Sequence, residues 1–154
     1  KNICINNSTI LILGAGGSAM SIVNSLLRES IESKISILNR TISNADKLVD
    51  YFSNNNLQIH KTGSVYDLVI NTTPISMSAD KVTFPNNFIK PSTTCYDLFY
   101  SNQQTTFQEW SIRNGIEICY DGLGMLIEQA KHSFTIWNNK IPNVNSLEEQ
   151  LRLT

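Results

Sequence analysis

The feature that most restricts the fold is a strand that ends in glycine and turns directly into a helix. Thr9-Ile10-Leu11-Ile12-Leu13 is a continuous apolar run, the pattern of a strand covered on both faces of a parallel sheet. Gly14-Ala15-Gly16-Gly17-Ser18-Ala19 follows at once, and a helix is predicted from Gly17 to Arg28, where Ile22, Val23, Leu26 and Leu27 recur at helical spacing. The turn fits G-x-G-x-x-A. In that setting Gly14 permits the tight turn, Gly16 lets the backbone approach a pyrophosphate, and small Ala19 lets helix and strand pack closely. The free amides of the helix's first turn then face the anion. Glycines also serve ordinary loops, but a strand before them and a helix after them put dinucleotide binding ahead of that plainer reading.

The alternation continues along the chain, as expected for βαβ units. Strands are predicted at Lys34–Leu38, around Leu57 to His60, at Tyr66–Asn71, Thr93–Leu98 and Ile116–Cys119. Ser43 is expected to cap a helix running through Leu48, Val49 and Phe52, a further helix is expected over Thr105–Asn114 with Gly115 ending it, and Ser78 to Pro91 reads mostly as loop. From Leu123 to Trp137, the residues Leu123, Leu126, Ile127, Ala130, Phe134 and Trp137 share one helical face, and Ser146 is expected to cap a last helix through Leu147 and Leu151. The predicted class is α/β: a Rossmann-like three-layer αβα domain with a mostly parallel sheet, followed by carboxyl-terminal helices whose apolar face awaits a partner domain.

At 154 residues the chain supports one ordinary core, so residues 1–154 are expected to form one domain. That is small for a whole dinucleotide oxidoreductase, and the substrate-binding half is expected to lie outside it. With 41% hydrophobic and 16% charged residues the composition is globular. No apolar run reaches the roughly 18 to 20 residues of a membrane span. The start Lys1-Asn2-Ile3-Cys4 leads straight toward a strand without a signal peptide, so the cytoplasm is the expected compartment. A net charge of −1 and a pI near 6.1 argue against nucleic acid or an anionic membrane as partner. Cys4, Cys95 and Cys119 contain no C-x-x-C pair and read as reduced, inert thiols. His60 and His132 lack ligand spacing and read as solvated or capping residues, so no metal is expected. Trp110 and Trp137 read as packing residues.

Three further strand ends carry candidate ligands. Asn39-Arg40-Thr41 ends the second strand, where a carboxylate would bind the ribose 2′-hydroxyl of NAD; an arginine there suits a 2′-phosphate, which favours NADP over a merely solvated Arg40. Asn71-Thr72-Thr73-Pro74-Ile75-Ser76-Met77 and Tyr96-Asp97-Leu98-Phe99-Tyr100 end later strands, at the edge where open parallel sheets bind ligands. Read alone, Tyr100 is more often a packing residue and Gln129 a solvated helix position.

The ordered series GAGGSA, NRT, NTTPISM, CYDLFY and DGLGMLIEQAKHSFTIW closely resembles the carboxyl-terminal domain of the shikimate dehydrogenase family, over nearly the whole chain. That resemblance implies an oxidoreductase of aromatic amino-acid biosynthesis, reversibly reducing 3-dehydroshikimate to shikimate with NADPH. By position it implies that Gly14, Ala15, Gly16, Gly17, Ser18 and Ala19 cradle the pyrophosphate, and that Asn39, Arg40 and Thr41 hold the 2′-phosphate. Thr72 is implied near the ribose, Gly122 and Met125 beside the nicotinamide, and Tyr100 and Gln129 on shikimate. The family's proton-transferring lysine and aspartate belong to the other domain, so no catalytic residue is assigned here, and the chain alone is expected to bind NADPH without turnover.

Met20 stands where the family commonly has arginine, Asn44 where many members have a second phosphate-binding arginine, and Ser76 where glycine is usual. Lys47, one turn beyond Asn44, is a candidate to compensate. Two other readings share parts of the pattern: a non-catalytic dinucleotide-sensing module, and the NADP domain of another oxidoreductase such as quinate/shikimate dehydrogenase or glutamyl-transfer-RNA reductase.

Overall fold

The computed structural model describes residues 3, 5–29, 32–77 and 84–153. Six strands form one sheet: β1 (Thr9–Leu13), β2 (Lys34–Leu38), β3 (Leu57–Ile59), β4 (Leu68–Asn71), β5 (Thr94–Asp97) and β6 (Ile118–Tyr120). Their order is β3-β2-β1-β4-β5-β6, and all five pairings are parallel, so the sheet is parallel throughout. Five α-helices accompany them: α1 (Gly17–Glu29), α2 (Ile42–Phe52), α3 (Thr106–Arg113), α4 (Leu123–Asn138) and α5 (Leu147–Arg152).

Alternation along β1 shows why the sheet is covered on both sides. Ile10 and Ile12 pack with Ala19, Val23 and Leu26 of α1 and with Ala45 and Leu48 of α2. Leu11 and Leu13 point the other way, into a cluster with Phe88, Phe107 and Trp110 beneath α3. The last four residues of β1, Ile10 to Leu13, are therefore buried on either face, and three layers result. After β3 the chain returns to the other side of β1 and begins β4 there. That reversal opens a crevice between the carboxyl ends of β1 and β4, the place where doubly wound sheets bind ligands.

Several local expectations shift. Helix α2 is entered through Thr41, extended at φ −99° and ψ 104°, so Ser43 lies inside the helix and caps nothing. Strand β6 runs from Ile118 to Tyr120 rather than from Ile116, because Gly115 (φ +81°) reverses the chain and Ile116 is consumed as a core plug under α3. Ser146 does sit at the N-cap of α5, but in the left-handed region and without a side-chain cap bond. A one-turn 3-10 helix, Pro74–Met77, follows β4. Residues 84–91 are irregular as expected, while 78–83 of the same predicted loop lie outside the described residues, as does Cys4.

The face proposed for α4 divides. Leu123 and Ile127 are buried, but Leu126, Ala130 and Phe134 are exposed, and Trp137 is 81% exposed. Trp137 is thus not a packing residue within this chain, whereas Trp110 is, with its indole N–H donating to the Phe84 carbonyl at 3.1 Å. His60 is half-buried rather than fully solvated, and its side chain caps no helix: its Nδ1 lies 2.8 Å from the Tyr66 hydroxyl and its ring meets Phe88 edge-on. Among the described residues no helix is long and apolar enough to cross a membrane, and no group of three His, Cys, Asp or Glu side chains could hold a metal ion.

Candidate functional site

The glycine turn is built as the motif requires. Gly14 takes φ +111°, a region that side chains rarely adopt, and its N–H continues the sheet by donating to the Leu38 carbonyl at 2.8 Å. A β-carbon on Gly14 would stand 2.6 Å from the Thr72 hydroxyl oxygen. Thr72 is held in that position twice, its N–H and its hydroxyl both donating to the Leu13 carbonyl, at 2.9 and 2.8 Å. Glycine turn and β4 end therefore form one wall. Gly16 and Gly17 have open space where side chains would be, Ser18 is exposed beside them, and Ala19 is fully buried against β1. The bare, outward-facing backbone at the mouth of α1, with its unpaired first-turn amides, has the shape and polarity of an anion cradle.

At the end of β2, the Asn39 amide donates to the Thr41 carbonyl at 2.9 Å and shapes the turn, while Arg40 and Thr41 are exposed. A groove of about 390 Å³ runs from Gly16 and Gly17 past Met20 to Asn44, Lys47 and Tyr51 of α2. The Lys47 side chain thus shares one concavity with the glycine turn.

The end of β5 holds a carboxylate, Asp97, to which the sequence reading of residues 96–100 assigns no role of its own. Asp97 is completely buried and faces no lysine or arginine partner in any described ion pair. Its carboxylate accepts hydrogen bonds from Ser76 Oγ and Thr105 Oγ1 at 2.6 Å each, from Asn71 Nδ2 at 2.9 Å and from the Phe99 N–H at 3.2 Å. Burial raises its pKa above the ordinary carboxylate value even though the four donors pull the other way. The available signal was the carboxylate of Cys95-Tyr96-Asp97, ending an otherwise apolar strand.

Tyr96 points to the opposite face, where its hydroxyl accepts from the Met125 N–H in the first turn of α4; burial raises its pKa. Gly122, at the N-cap of that helix, donates to the Phe99 carbonyl at 3.0 Å, and a β-carbon on it would fall 2.0 Å from the Leu98 carbonyl oxygen. Only glycine allows α4 to start there. Tyr100 is 45% exposed and stacks on Phe99, and Gln129 projects from the exposed side of α4. Among the described hydrogen bonds none joins Tyr100 or Gln129 to the glycine turn. Met125 lines, with Ile22, Leu26 and Leu98, an apolar cavity of about 200 Å³ on the α1 side of the sheet. A larger groove, about 620 Å³, separates α4 from α5, and Arg152 crosses its rim to the buried Asp121 at 2.9 and 2.7 Å.

Comparison with known proteins agrees with this fold. Residues 1–85, more than half of the chain, match the family model "Shikimate / quinate 5-dehydrogenase", and residues 122–152 match "Shikimate 5′-dehydrogenase C-terminal domain". The NADP(+) shikimate dehydrogenase of Blochmanniella floridana is 42% identical over 149 residues, covering 89% of this chain and 50% of that protein. That of Blochmanniella pennsylvanica is 40% identical, covering 94% and 53%. Among solved structures, shikimate dehydrogenase from Aquifex aeolicus superposes with a TM-score of 0.77 at 27% identity, over 95% of this chain and 53% of that one. The Ael1 enzyme of Pseudomonas putida gives 0.81 at 28%, over 96% and 55%. A Listeria monocytogenes shikimate 5-dehydrogenase, solved with shikimate and NAD, gives 0.79 at 25%, over 96% and 57%. The chain spans about half the length of the curated relatives it matches. On the match over residues 1–85, it belongs to the shikimate/quinate dehydrogenase family.

Proposed function

We propose that this chain is the NADP-binding half of a shikimate dehydrogenase that interconverts 3-dehydroshikimate and shikimate in aromatic amino-acid biosynthesis, working in the cytoplasm with a substrate domain outside these residues. The observation that carries the reading is the wall shared by Gly14 and Thr72 at the switch point of the sheet, with the bare backbone of Gly16 and Gly17 opening beside it. A dinucleotide fits that cradle, since the space a β-carbon would claim is left free at both exposed glycines.

When bound, the cofactor would supply hydride from its nicotinamide. The chain's own residues bind and orient. The amides from Ala15 to Ala19 grip the pyrophosphate, Arg40 with Asn39 and Thr41 meets the 2′-phosphate, and Thr72 flanks the ribose. Gly122 and Met125 border the nicotinamide, while Tyr100 and Gln129, both presented to solvent, hydrogen-bond the cyclic hydroxy acid once the second domain closes over them. The proton is handled by that other domain. Similarity to named NADP(+) enzymes supports the cofactor, and the NAD in the Listeria complex makes the choice between the two an experimental matter. Family membership disfavours the glutamyl-transfer-RNA reductase alternative, and the retained Tyr100 and Gln129 disfavour a pure sensing module.

Calorimetric titration of the 154-residue chain with NADPH and NADH, beside a turnover assay on the full-length protein, tests the proposal. Expected are NADPH binding by the chain alone, weaker NADH binding, and reduction of 3-dehydroshikimate by the full-length protein only. Absence of dinucleotide binding, or turnover by the chain alone, contradicts it.

A further inference from the structure

Tracing the four bonds of Asp97 outward shows how much of the carboxyl edge one carboxylate organises. Toward β4, it holds the Asn71 amide nitrogen, which turns the Asn71 oxygen onto the N–H and hydroxyl of Thr73 at 3.1 and 2.6 Å. The same carboxylate holds the Ser76 hydroxyl at the far end of that turn. Both ends of the segment carrying Thr72 are therefore fastened to one anion, and Thr72 in turn fills the gap left by Gly14. Toward α3, Thr105 donates to Asp97 while its oxygen accepts from the Gln108 N–H at 3.1 Å in a complete capping box, so the anion also anchors the first turn of that helix. Along its own strand it accepts from Phe99, which sets the direction of the chain into Tyr100 and brings the Phe99 carbonyl to Gly122.

We infer that Asp97 is a positioning residue: buried, and with no cationic partner among the described residues, it locks the Asn71–Ser76 turn, the Phe99–Tyr100 segment and the start of α3 into one rigid rim, so that the cofactor wall and the substrate-facing tyrosine keep a fixed spacing. Ser76 is its most specific partner, a buried hydroxyl that donates to the carboxylate while its oxygen accepts from Asn71 Nδ2 at 3.4 Å. A buried anion held by neutral donors, as among the described residues here, is costly unless all are in place, so losing one donor loosens the segment that carries it rather than a single bond. The inference rests on the proposed dinucleotide function.

The test uses the full-length protein, with NADPH affinity measured by calorimetry, steady-state kinetics with 3-dehydroshikimate, thermal unfolding, and amide exchange at residues 72–76 and 99–106. Asp97→Asn is expected to weaken NADPH binding by about tenfold, to raise KM and lower kcat together, and to speed exchange in both segments. Ser76→Ala is expected to lose about threefold in NADPH affinity with faster exchange confined to 72–76, and Ser76→Thr, which keeps the hydroxyl, to recover most of it. If Asp97→Asn and Ser76→Ala lower the unfolding midpoint but leave affinity and exchange in both segments unchanged, the carboxylate merely stabilises and the inference is overturned. Should Asp97→Asn not fold, Ser76→Ala and Ser76→Thr decide by the same criteria. An unsubstituted protein that binds no NADPH overturns the functional reading beneath it, a different result from unchanged variants of a binding protein.

Discussion

Gly14 and Thr72 compete for one small volume between β1 and β4, and each limits what the other can be. Alanine at position 14 meets two obstacles, a φ of +111° and an oxygen at 2.6 Å. Gly14→Ala should cost more than about 1 kcal/mol of stability and abolish tight dinucleotide binding. Adding Thr72→Ala should return part of the stability by removing the clash, while the backbone strain persists; full rescue in chemical denaturation would show that sterics alone mattered. At the neighbouring strand end, Arg40 is exposed and free to pair with a phosphate. Arg40→Ala is expected to lower NADPH affinity by about 10- to 100-fold, the equivalent of one charge-assisted contact, and to leave NADH affinity nearly unchanged. Lys47, in the same groove as Gly16 and Asn44, should act more weakly. Lys47→Ala is expected to lose a few-fold in NADPH affinity and to flatten its salt dependence, and an unaltered salt dependence would remove Lys47 from the site.

The β1-α1-β2 unit was legible because its signals are redundant: continuous apolar runs, helical spacing and glycine at the joint all agree. Where a single residue type had to decide, legibility fell. Ser43 looks like a cap but the chain leaves β2 already turning at Thr41, and Ile116 looks like a strand residue but is drawn beneath α3 by a left-handed glycine. In the candidate site the glycines and Arg40 could be read from local pattern, whereas the Asp97 cluster joins positions 71, 76, 97, 99 and 105, and only the parallel pairing of β4 with β5 brings them together. Helix α5 depends on an equally non-local bond. Asp121 is 3% exposed and holds Arg152, 36% exposed, in a two-pronged pair. Arg152→Ala should destabilise by about 1–2 kcal/mol, less than a fully buried pair because water screens the arginine. Arg152→Lys cannot restore the forked geometry and should recover only part. Amide exchange over 147–152 should rise in both variants, and unchanged exchange would mean that α5 is docked by its other contacts.

At the scale of the whole molecule, apolar surface and titrating groups set how the chain behaves in solution. Phe134, Ile136 and Trp137 on α4, Ile141 between α4 and α5, and Leu153 beyond α5 leave apolar side chains exposed, in a chain half the length of its relatives. Trp137 emission should accordingly be red-shifted in the 154-residue chain and move to the blue in the full-length protein, with Trp137→Phe removing the shift. Acid stability follows from three groups of differing sign. Burial lowers the pKa of His60 below 6.5, so the unfolded chain takes up that proton first and stability falls as pH drops below 6.5. Asp97 has its pKa raised, so there the folded chain takes up the proton first and stability rises as pH falls through its folded value toward 3.8. These two oppose each other in the mildly acidic range. Asp67 acts later: bonded first by Lys90, then by the N–H and hydroxyl of Thr9, its pKa drops from 3.8 to about 2. Its stabilisation is complete above 3.8 and is lost as pH falls toward about 2, and the exposure of both partners, 43% and 40%, keeps it modest. In Asp67→Asn the unfolding midpoint should lie below that of the parent protein at about pH 5, and the two curves should approach each other below pH 3.8 and meet only as pH falls through about 2. A constant separation across that range would show that Asp67 contributes through packing, with its charge irrelevant to the acid limb.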